Sequence, residues 1–167
     1  MDSDLRQAAV AALGELGRSH DHRDRADAGH GLAGFAEMAE AAGPLLALVL
    51  DSDDTFVTRR TVEALLRRQD RAGLTLIASA LAVANSNHND WIHTAVVEVF
   101  GIYSDDRDEA IRQCEEMLRD TDDRVALGAR QLHQILAEID PVLHPADPAA
   151  SADRPASADR PAPAHRA

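Results

Sequence analysis

Aromatic residues are nearly missing from this chain: Trp91, Tyr103 and three phenylalanines make up 3% of 167 residues, although 45% are hydrophobic. A core must therefore be assembled from Ala, Leu and Val, which favours helices packed closely on helices, because Ala and Leu are strong helix formers. Cys114 stands alone, which excludes an internal disulfide and suits a reducing compartment. Before residue 141 there is one proline, Pro44, so little interrupts a helical body. The longest mainly apolar runs, 41–50 and 74–84, are far shorter than the roughly 20 residues of a spanning helix. The first residues, "MDSDLRQ", carry no basic-then-apolar leader pattern. The expectation is a cytoplasmic protein that neither spans nor coats a membrane.

Positive charge is also scarce. Lysine is absent, and 17 basic residues face 29 acidic ones, for a net charge of −12. In residues 141–167, Asp147, Asp153 and Asp159 balance Arg154, Arg160 and Arg166, so the whole excess belongs to residues 1–140. Such a surface repels nucleic-acid phosphates and anionic lipid, and attracts a basic protein. The expected partner is thus a protein, not nucleic acid or membrane.

Composition divides the chain at residue 140. Beyond it lie six of the seven prolines and two copies of Ser-Ala-Asp-Arg-Pro, at 151–155 and 157–161, with few large apolar residues. Residues 141–167 read as a disordered tail and 1–140 as one helical domain. Gly43–Pro44 reads as the junction between two helices, since Gly suits a C-terminal cap and Pro a first turn.

The body repeats itself. Asp54, Val57, Thr61, Ala64 and Leu65 set a frame that recurs at Asn89, Ile92, Val96, Val99 and Phe100, and at Asp122, Val125, Ala129, Leu132 and His133. A weaker copy falls at Asp21, Asp24, Ala28, Gly31 and Leu32. Second marks at 24, 57, 92 and 125 are spaced 33, 35 and 33 residues apart. Each frame starts with an Asp or Asn suited to an N-cap, followed by a stripe covering one helical face. Another helix precedes most frames, so one unit is a helix pair that needs its neighbours to bury its stripe.

These residues resemble a HEAT repeat. In "GPLLALVLDSDDTFVTRRTVEALL" the Pro near the start, the Leu-rich face, the acidic turn and the Val–Arg–Ala-Leu series all match, and "DLRQAAVAALGELG" at 4–17 fits the second-helix pattern out of register. The resemblance implies an all-α fold: an α-solenoid of about four antiparallel helix pairs in a right-handed stack. It departs where the Arg usual after the first apolar mark, present as Arg25, becomes Thr58, His93 and Ala126, which puts the family's Asp–Arg ladder between turns in question.

Motifs for chemistry are weak. "GHGLAG" at 29–34 lacks the preceding strand that a dinucleotide fingerprint requires, and reads as small residues for close helix packing. His20, Asp21, His22 and Asp24 provide too few fixed ligands for a metal. Cys114 sits beside two glutamates, which disfavour thiolate. No catalytic residue, cofactor or metal is expected. The acidic turns carry more information, because Asp51, Asp53 and Asp120 exceed what capping needs. With Asp54, Asn87, His88, Asp90, Trp91, Asp122 and Asp123 they form the expected partner-binding set, arranged in a row along one edge. The leading reading is a non-enzymatic adaptor whose acidic edge recognises a basic protein, in a narrower form an inhibitor or immunity-type protein masking a basic enzyme. The alternative is a small HEAT-like enzyme or lyase accessory, as in the bilin-lyase-like branch of that superfamily.

Overall fold

The apolar stripes read from the sequence become buried faces. In the computed structural model, which describes residues 3–145, the helices are α1 (Ser3–Leu16), α2 (His22–Ala33), α3 (Ala39–Val49), α4 (Thr55–Leu66), α5 (Arg71–Leu81), α6 (Ser86–Phe100), α7 (Ser104–Met117) and α8 (Asp123–Glu138). Val57, Thr61 and Leu65 of α4, Ile92, Val96 and Phe100 of α6, and Val125, Ala129 and Leu132 of α8 are all buried. The described residues contain no strand, only an isolated parallel bridge between Tyr103 and Leu143.

Helix starts follow side-chain caps. Asp21, Asp54, Asp70, Asn85 and Asp122 each accept a hydrogen bond from a backbone N–H two or three residues on. The cap of α6 is Asn85, one turn ahead of the expected Asn89, so Trp91 stands in the second turn of its helix and not the first. Two asparagines a turn apart offer the same chemistry, and the earlier one captures the His88 N–H at 2.9 Å. Gly43–Pro44 is likewise no junction. Both lie inside α3, where proline's missing N–H leaves only the Glu40 carbonyl without a helical donor, on an exposed flank.

Neighbouring helices α2, α4 and α6 form a closely packed row. Gly29 of α2 presses on α4: a Cβ built there would lie 2.0 Å from Thr61 Oγ1. Small residues in "GHGLAG" thus permit a close helix approach. Arg59 of α4 binds Glu98 of α6 through both guanidinium and carboxylate forks, at 2.8 to 3.1 Å. Helix α1 packs beside α3, with Gly14 against Pro44 and Gly17 against Leu48.

The row does not continue to α8. Helices α5 and α6 barely touch although they are consecutive, and α8 packs mainly on α5, the most extensive helix–helix contact among the described residues. Gly128 makes that contact possible, since a Cβ there would meet the Ala78 carbonyl oxygen at 1.7 Å. At the far end of α8, Arg107 donates to the Ile139 carbonyl at 2.9 Å. The chain beyond α8 then folds back on the α6–α7 connection: Val142 and Leu143 donate to the Gly101 and Ile102 carbonyls at 3.1 and 2.8 Å, and Pro141 is buried. Residues 141–143, expected in the tail, therefore belong to the folded body. The rest of the expected tail, from 146, lies outside the described residues.

Candidate protein-binding surface

Asp51 is the hub of the first acidic corner, and its carboxylate is fully occupied. Arg25 donates to it twice, at 2.7 and 3.2 Å, and it accepts the Asp53 and Asp54 N–H groups at 3.0 and 2.8 Å. The Arg25 and Asp51 side chains are only 10% and 9% exposed. Burial pushes the Asp51 carboxyl up, but the hydrogen bonds from Arg25, Asp54 and Asp53 outweigh it and hold the group below the usual carboxylate range. The guanidinium of Arg25 is raised in turn, first by its hydrogen bond to Asp51. Arg25 also donates to the Ser19 and His20 carbonyls at 3.1 and 3.2 Å. His88, itself buried, donates from Nε2 to the Asp51 carbonyl at 3.0 Å. One chain of bonds therefore joins the turns at 19–20, 51–54 and 85–88, and it consumes two residues, Asp51 and His88, expected to face a partner.

What this corner leaves outward is smaller. Asp54 caps α4 through the Phe56 N–H at 2.9 Å and lies 3.9 Å from His22 Nδ1. Asp53, Asn87 and Asp90 are exposed, and Trp91 is half-buried. Phe56, 45% exposed, meets the His22 ring edge-on at 6.0 Å and lines a cavity of about 410 Å³ with His22, Arg23 and Asp27.

The expected row of acidic corners is broken at the last. Asp120 lies 3.2 Å from Arg71, at the start of α5, and Gln113 donates to the Gln69 carbonyl beside it. Asp51–Asp54 precede α4, whereas Gln69 and Arg71 follow its C-terminal end. The 12 residues of α4 span about 18 Å at ~1.5 Å per residue. Asp120, Asp122 and Asp123 thus gather at one end of α4 and Asp51, Asp53 and Asp54 at the other. Asp122 is committed to capping α8 through the Arg124 N–H at 2.9 Å. The displacement follows from α8 lying on α5, a choice that Gly128 permits and helical periodicity does not report.

The same displacement opens a feature the sequence reading missed. A cavity of about 470 Å³ lies between α6 and α8, lined by His93, Val97, Gly101, Ile102, Ile135 and Ile139 together with Glu98, Glu138 and Asp140. A second cavity, of about 270 Å³, extends it past Asn89, Asp90, Gln131 and Gln134. His93 and the helical periodicity of α6 were visible in sequence. The pairing of α6 with α8 was not, since 22 residues separate the two helices.

Chemically reactive groups have other surroundings. Burial, then Glu115, pushes the Cys114 thiol up to about 12, so it carries no thiolate at neutral pH. Among the described residues no three His, Cys, Asp or Glu side chains are grouped to hold a metal ion, and no helix is long and apolar enough to cross a membrane. Comparison with family models, with curated proteins and with solved structures gives no match.

Proposed function

We propose that this chain is a non-enzymatic, HEAT-like helical scaffold that binds a basic protein through its acidic surface, with masking of a basic enzyme as a narrower form. In this reading the helix pairs are antiparallel and stack as a short right-handed solenoid, with α5 and α6 splayed apart and the last pair turned against α5. The Arg25–Asp51 pair between neighbouring turns supports the resemblance, because it supplies one rung of the ladder typical of such repeats.

The observation that carries the functional reading is charge without internal neutralisation. The body holds the entire net charge of −12. Yet Asp53, on the turn before α4, and Asp90, near the start of α6, are both exposed and form no ion pair among the described residues, while the Arg25–Asp51–His88 bonds hold these two segments together. A rigid surface with unpaired carboxylates beside Phe56 and Trp91 combines long-range attraction with aromatic anchors.

The test is capture of the partner from native lysate by the tagged full chain, then titration of the purified partner at rising salt. Binding is expected to weaken as ionic strength rises from about 0.1 to about 0.5 M, as screening shortens the reach of charge to a few ångström. Asp53→Asn with Asp90→Asn is expected to weaken it further with helicity unchanged. Salt-independent binding that ignores both substitutions overturns the reading.

A further inference from the structure

The row α2, α4, α6 is closely packed, and then it stops: α8 is drawn onto α5, and α6 and α8 diverge enough to leave the two adjoining cavities between them. The floor of the larger cavity is apolar, whereas the smaller one is lined mostly by polar side chains. Val97 is 39% and Ile102 48% exposed, with Ile135 partly buried beside them. Past its end the apolar surface continues onto Tyr103, Val142 and Leu143, all about half exposed or more.

The rim has one sign. Glu98 is engaged by Arg59, whereas Asp90, Glu138 and Asp140 make no ion pair among the described residues, and no arginine lines either cavity. An apolar floor and three unpaired carboxylates together specify an occupant with apolar side chains and positive charge.

We propose that the α6–α8 groove receives a short basic amphipathic helix from a protein partner. Its apolar side rests on Val97, Ile135 and Ile139, and its Arg or Lys side chains reach Asp90, Glu138 and Asp140. Length agrees: Asn89 to Gly101 covers about 18 Å of α6, or roughly three helical turns. A helix is the fitting conformation because it satisfies its own backbone, whereas an extended segment laid on this floor finds no sheet edge to pair with. The inference rests on the reading that the chain binds a basic protein, and it assigns the contact to a surface apart from the Asp53 corner.

The probe is a labelled helix-forming peptide of about fourteen residues, with leucines at i, i+3, i+4 and i+7 and arginines elsewhere. A second peptide replaces every Arg by Glu. Binding to the full chain is read by fluorescence anisotropy and by amide chemical-shift changes. The Arg peptide is expected to bind and the Glu peptide not, with the shifts centred on His93, Val97, Gln131 and Ile135. Glu138→Gln with Asp140→Asn is expected to weaken binding about tenfold, and an equal-charge control, Asp27→Asn with Asp105→Asn, less than about twofold. Val97→Asp, at an exposed floor position, is expected to abolish it while helicity persists.

Four results overturn the proposal. Three come from the peptides: no binding of the Arg peptide, equal loss in the groove and control pairs, or shifts centred on residues 51–54, which leaves the basic-partner reading standing and moves its site. The fourth is sedimentation of the free chain as a dimer that Val97→Asp dissociates, since a second copy then fills the groove.

Discussion

Two tetrapeptides in this chain are nearly identical, Asp51-Ser52-Asp53-Asp54 and Asp120-Thr121-Asp122-Asp123, and they end up in different places. Locally they behave alike. In each the first Asp accepts a backbone N–H two residues on, and a later Asp caps the following helix. In each the first Asp also meets an arginine. Asp51 meets Arg25 inside the row of packed helices, with both side chains about nine-tenths covered, whereas Asp120, a quarter exposed, meets a half-exposed Arg71 at the other end of α4. A short acidic motif therefore determines a turn and a cap. What it contributes to stability depends on which arginine reaches it, and that is decided by helix packing elsewhere.

The sharpest way to break the comparison is to remove the contact that displaces the second corner. Gly128→Val drives a side chain into the Ala78 backbone, and chemical denaturation is expected to show a loss of about 3 kcal/mol or more. The control is Gly43→Ala in α3, where an added Cβ meets nothing within 4 Å, and there a gain of about 0.5 kcal/mol is expected from reduced backbone freedom. A neutral Gly128→Val would mean that α8 does not lie against α5.

Next in size is the buried pair. Asp51→Ala leaves Arg25 charged and covered and is expected to cost about 3 kcal/mol in the same assay, whereas Arg71→Ala at the second corner costs less than about 1 kcal/mol. Equal costs would contradict the assignment of one corner to the interior and the other to the surface.

Acid sharpens the contrast further. Asp51, Asp70 and Glu37 all have carboxyls held below their ordinary values. For Asp70, burial pushes upward, but Arg68 and the Gly73 N–H prevail; for Glu37 its own backbone N–H leads, with Arg6 and Arg68 adding to it against burial. Groups with lowered folded-state values bind protons more readily when unfolded. Their stabilisation is therefore complete above the unfolded values near ~4 and is lost as pH falls through the lower folded ones. Denaturation midpoints are expected to fall steeply below about pH 4, and Asp51→Asn to make that fall shallower. The smallest effect is kinetic: Cys114, fully buried and with its thiol pushed up to about 12, is expected to react with a thiol reagent only as fast as the protein unfolds.

Much of the helical content was legible, because burying Val57, Ile92 and Val125 at matching positions requires only that helical periodicity meet a core. Caps were legible where the repeat frame marked the Asx residue, as at Asp21, Asp54 and Asp122. They misled where Asn85 and Asn89 offered the same bond a turn apart. The binding surface was read less well. Asp51 and His88 looked like spare polar groups because the atoms that occupy them come from other turns, 26 and 37 residues away. The groove was invisible for a related reason: Val97 and Ile135 share it only because Gly128 admits α8 to α5.

That displacement of α8 is tested most directly by nuclear Overhauser contacts in the full chain. Met117 Sδ lies 3.3 Å from Thr75 Oγ1, and Gly128 abuts Ala78. Strong cross-peaks are expected between the Met117 and Thr75 methyls and between the Gly128 α-protons and Ala78. Their absence, with the Thr121 methyl instead contacting residues 85–90, would restore a single row of acidic corners and contradict the account.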